Sequence, residues 1–92
     1  MTQCLHVRIT GRVQGVGFRY ATHDKARALE LNGWVRNTSD GCVEAEFEGE
    51  RPVLEQMLAW CHVGPRSALV TEVDATWESR EPSYQGFRMR VW

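Results

Sequence analysis

Little in this chain commits it to a membrane, a disulfide scaffold or a metal. It holds no run of 18 successive apolar residues, so no hydrophobic helix can cross a bilayer. The opening MTQCLHVRITGR lacks the uninterrupted apolar core of a secretory signal. Cysteine is scarce and odd in number: Cys4, Cys42 and Cys61, with no CxxC spacing. His6, His23 and His62 are scattered and complete no His/Cys ligand pattern, so the thiols read as free and small in a reducing compartment, with no metal. Neither an internal repeat nor a Ser/Pro-rich linker divides the 92 residues, which predicts one domain over 1–92. The net charge of −1 gives no overall attraction to nucleic acid or to an anionic membrane.

What is present is unevenly spread. Residues 1–39 carry six Lys/Arg against Asp24 and Glu30, whereas residues 40–81 carry three Arg against ten acids. The positive part also holds the glycines. Leu5, Val7 and Ile9 alternate with His6, Arg8 and Thr10, predicting a half-buried strand over 3–10. Phe18, Thr22, Ala26 and Leu29 recur at helical spacing, for a helix from about Arg19 to Leu31. GWVRNT (33–38) and CVEAEFEG (42–49) flank the turn residues SDG, a hairpin whose Glu44, Glu46 and Glu48 form an acidic, wet face. Pro52 opens a second helix lined by Leu54, Met57, Leu58 and Cys61, and Gly64-Pro65 ends it. Leu69 to Trp77 reads as a fourth strand with Val73, Ala75 and Trp77 on one face, and FRMRVW as a fifth. Right-handed crossovers then place both helices on one face of a mostly antiparallel sheet, with the third strand between the first and second. That is the α+β, ferredoxin-like α/β sandwich, βαββαβ plus a C-terminal strand. It sets Cys4 and Cys42 about 20 Å apart along neighbouring strands, too far to bond.

The chemistry concentrates in GRVQGVGFR, residues 11–19. A strand, a glycine-rich turn and a helix start, in that order, can converge N–H groups on one anion. Arg19 adds a planar fork for two phosphate oxygens. The Walker spacing GxxxxGK[ST] is absent, and Gly11, Gly15 and Gly17 do not match GxGxxG, which argues against a nucleotide. On the loop alone, a glycine-rich turn with an incidental arginine competes with the anion site. Asn37, at a strand end before TSDG, is by itself as much a turn former as a functional amide. Alternation puts it on the side of Val35, hence toward the helices and the loop if Val35 faces the core.

Taken together, GRVQGVGFR and GWVRNTSDG resemble the paired signature of the acylphosphatases, and VEAEFEG, GPRSA and FRMR agree with it further. The resemblance runs from about Leu5 to Trp92. It implies the ferredoxin-like fold and hydrolysis of carboxyl–phosphate anhydrides by a small cytoplasmic monomer, with no cofactor, nucleic acid or membrane partner. It assigns Arg19 as the phosphate-binding catalytic arginine, Asn37 as the water-orienting residue, and Gly15, Val16, Gly17, Phe18 and Arg19 as the phosphate cradle. One departure is Glu30, where the family usually has glycine at the end of the first helix; a left-handed side chain there costs roughly 1 kcal/mol. The implied reaction asks little of acid–base groups, because a carboxylate whose acid has a pKa of about 4 leaves unprotonated. His23 is the titratable rival near the loop, and its alternative is a surface helix residue. An RNA-recognition module shares the architecture but needs aromatic and basic residues where the third strand has Glu44, Glu46 and Glu48.

Overall fold

The computed structural model describes residues 2–91. Strand β1 (Thr2–Arg12) feeds the glycine segment, helix α1 (Phe18–Ala28) follows, and β2 (Asn32–Asn37) and β3 (Val43–Gly49) form the hairpin. Helix α2 (Arg51–Cys61), β4 (Leu69–Arg80) and β5 (Phe87–Arg90) complete the order. The sheet runs β4-β1-β3-β2-β5, with β3 between β1 and β2 as the split topology requires. Its pairs are antiparallel except β2–β5, which is parallel. This is the ferredoxin-like sandwich with a fifth strand laid along the β2 edge.

Period-2 alternation decides which face is dry. Leu5, Val7 and Ile9 stand opposite Phe47, Ala45 and Val43, and all six are fully buried. Phe18, Thr22 and Ala26 of α1 and Leu54, Met57 and Cys61 of α2 close over them. Each large side chain so buried contributes about 1.5–3 kcal/mol. Phe87 stacks on Phe47 at 5.4 Å, bringing β5 into the same core. β4 alternates as expected, but it is a sheet edge, and Ala75 stays exposed while Val73 and Trp77 are half-covered.

Helix α1 stops three residues before the expected Leu31. Glu30 takes the left-handed conformation (φ 59°), its N–H donating to Arg27 O while Leu31 N–H donates to Ala26 O at 2.9 Å. That is a Schellman closure built without its usual glycine, so the side chain bears the strain and the cap is retained.

The acidic face expected to be wet is instead an ion-paired layer. Register sets Arg8 and Arg36 across from Glu44, and His6 across from Glu46. Glu44 lies 2.6 Å from both His6 Nε2 and Arg36. Burial alone would raise its pKa; the hydrogen bonds from His6 and Arg36 outweigh burial and hold the carboxyl below the usual range. Glu46 takes Arg80 at 3.0 Å and the Tyr84 hydroxyl at 2.5 Å. Glu48, 3% exposed, accepts the backbone N–H groups of Ser83 and Tyr84 and faces Arg80 at 3.5 Å. These bonds fold the β4–β5 connection across the sheet. Alternation aimed the glutamates correctly; their cover comes from His6 on β1, from arginines on β2 and β4, and from backbone beyond β4.

Candidate active site

The glycines act at three separate points. At Thr10/Gly11 the β1–β4 register shifts, and Gly11 (φ 130°) lies so close to β4 that a Cβ would fall 2.1 Å from Leu69 O. Only glycine lets the chain leave the sheet there. Gly15 (φ 76°) and Gly17 (φ 77°) are left-handed with open space around them, so backbone conformation and not crowding selects glycine. Left-handed residues on either side of Val16 give a backbone of the kind that can turn successive N–H groups to one side. Among the described residues, no backbone carbonyl accepts a hydrogen bond from the N–H groups of Gly15 to Arg19.

The next residue locks the loop down. Phe18, 1% exposed, meets Trp60 edge-on at 5.5 Å and lies directly under Gly64, where a Cβ would strike its ring. This seats the N-terminus of α1, which has no side-chain cap and no acid in its first turn, so its positive potential is uncompensated. Arg19 follows on that turn, half-exposed, with no ion-pair or hydrogen-bond partner among the described residues.

Asn37 closes β2 opposite Val43, on the core side as alternation required. Its amide is likewise unpartnered among the described residues. Val13, Gly15, Gly17, Phe18, Arg19, Tyr20 and Asn37 line one cleft of about 210 Å³. The structure thus brings Arg19, Asn37 and the loop glycines together. Val16 is half-buried against the core and does not line the cleft. His23 does not line it either: its ring lies 6.1 Å from Phe87 and its Nδ1 3.5 Å from the exposed Asp24, the surface-helix alternative.

Gln14 escaped the sequence reading. Its amide donates to Thr38 O and Cys42 O, both at 2.8 Å, and so ties the glycine loop to the turn after Asn37. Thr38 Oγ1 accepts from Cys42 N–H at 3.0 Å and donates to Asp40, which pairs with Arg8. That hydrogen bond from Thr38 and the Arg8 charge hold the Asp40 carboxyl below its usual range. The only sequence signal was a long amide inside a glycine run.

Three roomier hollows, of about 530, 600 and 230 Å³, lie elsewhere, and Asn37 also lines the one of 600 Å³. In the largest of them Arg8 and Arg36 are already paired. No three His, Cys, Asp or Glu side chains converge as a metal site among the described residues. The cysteines are free and buried, and burial pushes Cys4 up to about 11 and Cys61 up to about 12, far from thiolate at neutral pH. No described helix is long and apolar enough to cross a membrane.

The ferredoxin-like sandwich carries, beside its glycine loop, a small cleft in which an arginine and an amide have no partner among the described residues, an arrangement compatible with a phosphate-handling hydrolase. The chain belongs to the acylphosphatase family, whose model matches residues 5–89. The acylphosphatase of Trichormus variabilis is 54% identical over 86 residues, covering 94% of this chain and 84% of the relative. The structure of an acylphosphatase from Coxiella burnetii superposes with a TM-score of 0.90 at 40% identity, over 97% of this chain and 94% of that one. The acylphosphatase from Bacillus subtilis gives a TM-score of 0.93 at 31% identity, over 97% and 99%. The fold and activity class implied by the two signature segments therefore stand: the chain is a hydrolase of small acyl phosphates.

Proposed function

We propose that the chain hydrolyses the carboxyl–phosphate bond without a metal, as a cytoplasmic monomer, using Arg19 and the N–H groups from Gly15 to Arg19 as the phosphoryl cradle and Asn37 to hold the attacking water. The observation that carries this reading is that Arg19 and Asn37 line one cleft and neither is engaged by another described residue. A guanidinium with no carboxylate partner keeps its full fork for phosphate oxygens. Phosphoryl transfer is governed by alignment and charge stabilisation, which a rigid cradle supplies. The water oxygen bonds to phosphorus as the bond from phosphorus to the acyl oxygen breaks. The carboxylate leaves with that electron pair, and the water proton passes to a phosphate oxygen of the substrate. No general acid is needed, because a carboxylate of pKa about 4 is stable unprotonated.

The test is hydrolysis of acetyl phosphate and benzoyl phosphate beside p-nitrophenyl phosphate, all in EDTA. Both acyl phosphates are expected to turn over while the ester is barely touched. Activity lost to chelator and restored by Mg²⁺ overturns the metal-free mechanism.

A further inference from the structure

The cleft has a second kind of surface besides its cradle. Val13 and Phe18 line it, but each is 1% exposed and offers a ligand almost nothing. Tyr20 differs. It stands in the first turn of α1, directly after Arg19, lines the same cleft, and is 63% exposed. No described residue engages its ring or its hydroxyl. Of the large hydrophobic side chains left exposed among the described residues, Tyr20 is the one in the cleft.

We propose that the Tyr20 ring is the subsite for the acyl group and selects acyl phosphates whose acyl part is uncharged and apolar, aromatic above all. This rests on the reading of the cleft as the phosphoryl site. Successive helix residues diverge by about 100°, so a ligand that meets both Arg19 and Tyr20 must be bipartite. An acyl phosphate is: its phosphoryl group occupies the cradle at Arg19 and its acyl group extends along the wall toward Tyr20. Charge points the same way. Arg19 is the only cation in the lining and the phosphoryl group claims it, so an acyl chain bearing a second anionic group meets no partner there. An aromatic acyl group removes the face of Tyr20 from water and stacks on it.

The experiment measures kcat/KM for benzoyl phosphate and acetyl phosphate in the parent, Tyr20→Ala and Tyr20→Phe proteins, with inhibition by inorganic phosphate alongside. In Tyr20→Ala the benzoyl-to-acetyl ratio is expected to fall about fivefold, the scale of one aromatic pair. Tyr20→Phe is expected to restore it, and the phosphate inhibition constant to hold steady across all three. An unchanged ratio, or an equal fall on both substrates, overturns the subsite while leaving the activity in place. A parent protein that hydrolyses neither substrate overturns the functional reading and the subsite with it.

Discussion

On the open face of the sheet each carboxylate of β3 has a cation, whereas in the cleft on the helix side neither Arg19 nor the Asn37 amide has a partner among the described residues. The difference is not one of polarity, since both regions are rich in charge or hydrogen-bonding groups. On the open face Arg80 alone reaches Glu46, Glu48 and Glu78, and among buried side-chain nitrogens and oxygens of the described residues only its Nε lacks a partner. Such a layer is saturated: it has little left to offer a ligand, and its worth lies in holding β4, β5 and their connection in place. In the cleft, donors are fixed by packing and left open. Phe18 under Gly64 fixes the loop end, Gln14 fixes the loop to the turn, and the functional groups remain unspent.

The sharpest way to break that contrast is at Arg19. Arg19→Gln is expected to lower kcat/KM by ~10³-fold or more and to abolish phosphate binding by calorimetry, since the transferring group loses its one fixed cation. Circular dichroism of the variant is expected to match the parent; loss of the fold would put Arg19 among the stabilising residues instead. On the other face, Glu48→Ala leaves Arg80 and two backbone N–H groups short of their acceptor. It is expected to cost about 3 kcal/mol in urea unfolding while kcat of the folded protein is retained. A catalytic defect at unchanged stability would invert the comparison.

Asn37→Ala refines the cleft itself. Turnover is expected to fall ~10²-fold, the scale of losing one oriented group, with phosphate affinity nearly unchanged. If binding fell as far as in Arg19→Gln, Asn37 would belong to the cradle and not to the water.

How much of this contrast could be read from the chain depended on where partners lie in sequence. The strands, helices and split order were legible because alternation and 3.6-residue spacing are local, and the cleft was legible in outline because its lining, Tyr20 apart, sits in two short segments, 11–19 and 33–41. The cover over Glu44, Glu46 and Glu48 was not. Those partners come from His6, Arg36, Arg80, Ser83 and Tyr84, which meet β3 only once register and the path of the β4–β5 connection are set. Gln14 was missed for the same reason, because its acceptors are two carbonyls across a turn.

Two smaller effects sharpen the picture away from the site. Glu30→Gly is expected to stabilise the protein by about 0.5–1 kcal/mol, read as a higher urea midpoint, because glycine accepts the left-handed cap at no steric cost. Activity is expected to be unchanged. Glu44 supplies the acid limb of the open face. Its pKa is lower folded than its ordinary 4.5, so the stability it contributes is present above pH 4.5 and is lost as pH falls through the lowered value. Glu44→Gln is therefore expected to shallow the stability curve below pH 4.5 and to cost under about 1 kcal/mol at pH 7.

The strand order β4-β1-β3-β2-β5 also governs how the molecule comes into being. β1 precedes both of its neighbours, β3 and β4, in the chain and becomes an interior strand between them: Leu5 waits for Phe47 on one side and Trp77 on the other. During elongation, at about 5–20 residues per second, its apolar alternate residues and both rows of backbone hydrogen-bonding groups have no native partner. High contact order of this kind slows refolding relative to a helical bundle of the same length. The loop after β1 and the turn after Asn37 are brought together when β1 pairs with β3, which also carries β2. The cleft on this topology therefore forms by long-range strand pairing and not by local folding.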